Sequence, residues 1–184
     1  AAIRLNGRAL SFHETFGHAR HPVAIHAAAS GHVFAGDTFG LSYPELDWQG
    51  RRFAFATSSP TQFDPAPYHR SLDLIARLAQ GAVYVTHYGQ VRDLEARLAA
   101  LHRQVDALAA IGLREKDAGP ERRARLWQGV KALLRDEVRR YGAPFTEAQA
   151  MAAYGQDVDL NADGLGAWLD AARYVDDKWE HAFA

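Results

Sequence analysis

From residue 91 onward the apolar residues of this chain change period, and that change limits the fold more than any other feature. Val91, Leu94, Leu98, Leu101, Val105 and Leu108 step by threes and fours, laying one apolar stripe along a long helix that ends near Gly112. After a break at Gly119-Pro120, Leu126, Val130, Leu133, Leu134 and Val138 define a second helix before Gly142. Phe145 to Tyr154 gives a shorter helix, and Leu165, Trp168, Leu169, Ala172, Val175 and Trp179 give a last one. Beyond residue 91 nothing reads as a strand.

Before that point the pattern belongs mostly to strands. Ile3–Leu5 and Arg8–Phe12 flank Asn6-Gly7, a dipeptide suited to the positive φ angles of a tight hairpin turn. Short β-branched or apolar runs follow at Val23–His26, His32–Ala35 and Phe53–Ala56, punctuated by Gly- and Pro-bearing loops. A helical period at Leu72, Ile75, Leu78 and Ala79 lies between Pro67 and Gly81, and Ala82–Thr86 reads as a buried strand. The expected organisation is an α/β unit over residues 1–112 and an all-α extension over 113–184.

Several classes of protein are excluded by composition. With no cysteine there is no disulfide scaffold, thiol nucleophile or thiolate metal site. No apolar run approaches the roughly 18 residues of a membrane span. Lys and Arg number 21 against 22 Asp and Glu, which is not the balance of a protein that binds nucleic acid by bulk charge. Arg122, Arg123, Arg125, Arg135, Arg139 and Arg140 cluster on one helix, but Glu121, Asp136 and Glu137 interleave with them, as on a solvated face laced with ion pairs. Asp159, Asn161, Asp163 and Gly164 open like a calcium loop, yet the twelfth position is Asp170 instead of the bidentate glutamate, and a helix cap explains the same residues. The chain starts at Ala1 without a basic or apolar leader, and the expected setting is cytoplasmic.

Seven of the nine histidines fall in residues 1–90. Three segments there join a potential metal ligand to a turn: Thr15-Phe16-Gly17-His18-Ala19, Ala35-Gly36-Asp37-Thr38-Phe39-Gly40 and Thr86-His87-Tyr88-Gly89. Each lies at or just beyond the end of a predicted strand, where loops of layered α/β proteins converge on ligands. Imidazole and carboxylate suit zinc, manganese or iron. His13 and His21 flank the first segment and read as surface or loop-stabilising residues; Phe39, Tyr43 and Tyr141 read as core before pocket wall.

In this succession, T-x-G-H-A, then G-D-T-F-G, then T-H-Y-G, the chain resembles the second half of a metallo-β-lactamase-fold hydrolase of the glyoxalase II-like kind. Gly36–Tyr43 and the run from Ser59 to Pro65 strengthen the resemblance. It implies half of an αββα sandwich, with the helices after residue 112 as a C-terminal extension. It also implies that His18 binds a first metal, His87 a second, and Asp37 bridges the two and serves catalysis, with Tyr88 beside His87 against the substrate. The loop carries Phe16 where the family has proline, and the family's H-x-H-x-D-H motif occurs nowhere in these residues.

The implied activity is hydrolysis of a small ester, thioester or lactone by a hydroxide on two divalent ions, zinc first, with iron or manganese as alternatives. The implied partners are that small-molecule substrate and the missing N-terminal half of the same domain, with neither nucleic acid nor membrane. A mononuclear-iron persulfide dioxygenase is one competing reading. A non-catalytic fragment or pseudoenzyme that self-associates, as a homodimer, is the other.

Overall fold

The computed structural model describes residues 2–58, 62–87 and 89–182, with side chains described as far as residue 171. β1 (Ala2–Leu5) and β2 (Arg8–Glu14) form the expected hairpin, with Asn6 and Gly7 both at positive φ. β3 (Val23–Ala27) and β4 (His32–Gly36) continue the antiparallel meander. The chain returns through α1 (Pro65–Leu78) to β5 (Ala82–Val85), which pairs parallel to β4, and β6 (Gly89–Val91) adds an antiparallel edge. The six strands lie side by side in sequence order. Three helices follow: α2 (Leu94–Glu115), α3 (Arg122–Tyr141) and α4 (Glu147–Ala182). Among the described residues no helix is long and apolar enough to cross a membrane.

Helices cover one face of the sheet only. Ala24, Val33, Ala35, Val83 and Val91 are fully buried and join one cluster with Leu72 and Ile75 of α1 and Leu101, Val105 and Leu108 of α2. Because side chains alternate along a strand and paired residues share a face, Ile3, Leu10, Ala27, Phe12, Ile25, Phe34 and Tyr84 stand on the opposite face. That face is open: Ile3 is 51% exposed, Leu5 58%, Val23 46% and Phe34 45%. It is an apolar sheet surface with nothing packed on it among the described residues.

The structure departs from the expectations at three places. Phe53–Ala56 is not a strand, although it is buried. Its backbone is satisfied otherwise: Phe55 exchanges hydrogen bonds with Leu41 at 2.8 and 2.9 Å, Ala56 donates to Gln104 Oε1 at 2.7 Å, and Gln104 Nε2 donates to Ala54 O at 3.2 Å. Val91 belongs to β6 and pairs with Val83, so the first member of the apolar stripe is a strand residue and α2 begins only at Leu94.

Finally, the two helices expected after Phe145 are one, α4, without a break between Tyr154 and Leu165. The intervening residues stay helical, and their polar side chains are engaged by other parts of the fold. Arg123 pairs with Asp163 at 2.8 Å and with Asp159 at 3.6 Å, and Asn161 is bonded to Ser58. This removes both the calcium loop and the capping role expected there, since an ion-wrapping loop cannot be helical throughout. All six clustered arginines of α3 have acidic partners, as interleaving suggested.

α2 and α3 are clamped by a buried acid. Glu137, whose side chain is 4% exposed, accepts two hydrogen bonds from Arg103, at 2.9 and 2.6 Å, and one from Gln104 at 3.3 Å. Removing one partner of such a group leaves the others unsatisfied, and the 42% exposure of Arg103 moderates the effect. Glu137→Ala is therefore expected to lower unfolding stability by about 2 kcal/mol, read from urea denaturation. A change below about 0.5 kcal/mol, the range of ordinary surface substitutions, would contradict the clamp.

Candidate metal centre

Three loops meet beyond the ends of β2, β4 and β5. The first holds His18. Gly17 sits at φ +121°, its N–H bonded to Ala19 O at 3.1 Å and its carbonyl to Asp64 N–H at 2.8 Å, which presses the loop onto the start of α1. His18 turns inward and is 9% exposed. Its Nδ1 lies 3.3 Å from Thr57 O, and because a carbonyl only accepts, Nδ1 carries the proton and Nε2 the free lone pair. Burial pushes the imidazole below the ordinary histidine value, opposed chiefly by the Asp37 carboxylate, so the ring is kept in the neutral form that ligates.

The second loop holds Asp37. The register of β4 against β5 slips between Phe34 and Gly36, and the last pair, Gly36 with Val85, ends the ladder just before Asp37. Thr38 N–H and Gly40 N–H close the turn onto Ala35 O and Asp37 O. His87 follows β5 in the third loop.

The structure brings His18, Asp37 and His87 together. His18 Nε2 stands 3.8 Å from Asp37 Oδ2, and His87 Nε2 stands 3.6 Å from Asp37 Oδ1. Both distances exceed a hydrogen bond. Asp37 Oδ1 is buried and, among the described residues, accepts no hydrogen bond. A carboxylate oxygen withdrawn from water without a donor is costly unless a cation faces it. Two ligands on one tetrahedral zinc stand about 3.4 Å apart, so each ring nitrogen and its carboxylate oxygen are spaced to share an ion after small side-chain adjustment. The arrangement is two pairs joined through one carboxylate; among the described residues no three His, Cys, Asp or Glu form a group that could hold an ion by themselves. Tyr88 lies outside the described residues.

Helix α4 walls this site, which sequence reasoning missed. Tyr43 sets its ring edge-on to His87 at 5.9 Å and donates from its hydroxyl to Asp157 Oδ1 at 3.3 Å. Tyr154 donates to Leu41 O and receives the Tyr43 N–H. Asn161, fully buried, accepts from the Ser58 amide, receives the Ser58 hydroxyl, and donates from Nδ2 to Asp157 O at 2.9 Å. Ser58 follows the residue whose carbonyl orients His18. The signal in the sequence was two polar residues, Asp157 and Asn161, at helical spacing within the apolar stripe of Tyr154, Val158, Ala162 and Leu165. Of the other residues weighed, His13 bonds Ser11 at 2.9 Å, while Phe39 and Tyr141 are core.

Burial pushes the Asp157 carboxyl up, against the Tyr43 hydrogen bond and the His87 imidazole that pull it down. A carboxyl whose folded value exceeds its unfolded value contributes stability that is complete below about pH 3.9 and is lost as pH rises through the folded value. Asp157→Asn removes that titration. In metal-free protein the stability of the variant relative to the parent is expected to increase from acid to neutral pH, by denaturation at a series of pH values. A difference independent of pH would contradict it.

A six-stranded mixed sheet with helices on one face, loops carrying His18, Asp37 and His87 beyond its strand ends and a helical C-terminal part match the metallo-β-lactamase fold, and the chain has that fold. The solved structure that carries the assignment is a metallo-beta-lactamase family protein from Thermus thermophilus, 19% identical at a TM-score of 0.51, matched over 94% of this chain and 47% of that one. A beta-lactamase domain protein from Burkholderia ambifaria is 20% identical over 94% of this chain and 45% of that one, at a TM-score of 0.47. An archaeal metallo-beta-lactamase superfamily protein from Sulfolobus tokodaii is 24% identical over 56% of this chain and 36% of that one, at a TM-score of 0.45. The chain spans about half the length, or less, of these structures. No family model matches it, and no curated protein does.

Proposed function

We propose that this chain contributes His18, Asp37 and His87 to a two-metal centre that hydrolyses a small ester, thioester or lactone. The observation that carries the reading is Asp37, whose two oxygens face two different imidazoles and whose buried Oδ1 has no hydrogen-bond donor among the described residues. Two divalent cations, zinc by ligand type, supply Lewis acidity and lower the pKa of water there. This chain's own residues do the rest: Thr57 O holds His18 as the Nδ1–H tautomer, and Tyr43, backed by Asp157, packs against His87.

The remaining ligands come, in this reading, from a second sheet bearing H-x-H-x-D-H that covers the open face of Ile3, Leu5, Val23 and Phe34. That apolar surface is what the inner face of a two-sheet sandwich presents before its partner packs. The setting is cytoplasmic in the same reading.

The test is turnover of simple aryl esters, thioesters and lactones by the intact protein, with and without a chelator. Activity abolished by chelation and restored by zinc is expected. Turnover indifferent to chelation would overturn the proposal, and a homodimer that buries the open sheet face without binding metal would replace it with self-association.

A further inference from the structure

A pocket of about 560 Å³ lies beside the His18 loop, between the first turns of α1 and the stretch of α4 that holds Trp168 and Ala171. Phe16, Gly17, Ala19 and Arg20, on either side of His18, form one wall. The volume is that of a small-molecule site. Its floor is aromatic: Phe63 is 2% exposed and meets the ring of Trp168 edge-on at 5.4 Å, and Phe16 stands 40% exposed at the mouth.

Two cations border this apolar floor, Arg20 and Arg70. Among the described residues neither makes an ion pair, whereas all six arginines clustered on α3 do. Among the described residues Asp64, an acid on the pocket wall, forms no ion pair with either. The Arg20 backbone is fixed by its N–H bond to Gln62 Oε1 at 2.9 Å, which brings that arginine's stem to the rim. An aromatic floor asks for an apolar body, and unpaired guanidinium groups ask for a planar anion that takes two hydrogen bonds at once.

We propose that this pocket holds the non-reacting end of the substrate, and that this end is an apolar group carrying a carboxylate. The part it plays in turnover rests on the metallo-hydrolase reading above; the binding does not. Because the wall is the loop that carries His18, a ligand seated here lies against the same backbone that positions that imidazole.

The probe is 4-phenylbutyrate set against its neutral partner 4-phenylbutanol, titrated into the intact protein and followed at the Trp168 indole by nuclear magnetic resonance. The acid is expected to shift the Trp168 signal and to bind at least about tenfold tighter than the alcohol. The double variant Arg20→Ala, Arg70→Ala, altered only at exposed side chains, is expected to bind both alike, while Asp37→Ala binds the acid as the parent does. Equal binding of acid and alcohol by the parent, or no Trp168 response at millimolar acid, would overturn the site. If the acid binds at Trp168 but fails to compete with a metal-dependent ester substrate, the pocket is not part of the substrate site, and the hydrolase reading survives. If no metal-dependent turnover exists while the acid still binds, it is the hydrolase reading that falls.

Discussion

Gly17→Ala is expected to cost roughly 3–5 kcal/mol of unfolding stability and to displace His18. Two effects combine at this position. At φ +121° the backbone occupies a region that side chains rarely tolerate, and an added Cβ would lie 2.2 Å from both the Cα and the N of Tyr68. Those are backbone atoms in the first turn of α1, held by the fully buried Tyr68 ring, so nothing on that side yields. The loop would have to lift, breaking the Asp64 N–H bond to Gly17 O and carrying His18 away from Thr57 O. Gly7→Ala is the control: its φ is +78°, but no atom lies within 4 Å of an added Cβ, so only the conformational part, about 1 kcal/mol, is expected. Urea denaturation of the two variants separates strain from clash. Equal losses would mean that the close approach to α1 contributes nothing.

Asp37→Ala is expected to separate function from stability. In the metal-free protein Asp37 Oδ1 is buried without a donor among the described residues, and neither imidazole comes within hydrogen-bond distance of the carboxylate. Removing the side chain deletes an unsatisfied group, so the melting temperature of metal-free protein should hold or rise. Metal affinity should instead fall by more than the about 10–100-fold that loss of a group supporting a ligand brings, because here the shared ligand itself is gone. A clear fall in melting temperature with unaltered metal affinity would show that Asp37 serves the fold.

How much of this was legible in the sequence depends on where each residue finds its partners. The Asn6-Gly7 hairpin, α1, β5 and α3 follow from local period and turn chemistry, because the residues that decide them are neighbours. β6 was hidden since Val91 completes a helical stripe by spacing, while Val83 claims it in the sheet. Phe53–Ala56 has the composition of a strand, yet its hydrogen bonds run to one bridge and to the side chain of Gln104, a partner that no local pattern announces. The single α4 is hidden for the same reason: Asn161 reads as a helix cap until Ser58, 103 positions away, takes its side chain.

The candidate ligands were legible because each lies in a short motif at a strand end. Their supports, Thr57, Tyr43 and Asp157, are assembled only by the packing of α4 across the loops. The resemblance to a known fold pointed to three side chains in one place, and the structure supplies the detail that a motif lacks, namely which carboxylate oxygen faces which ring.

Whether His18, Asp37 and His87 hold divalent metal is decided by zinc stoichiometry and affinity in the intact protein and in His18→Ala, Asp37→Ala and His87→Ala. Two zinc ions are expected in the parent, with weakened retention of one ion in each histidine variant and of both in Asp37→Ala. Full zinc loading at parental affinity in all three variants would contradict the assignment.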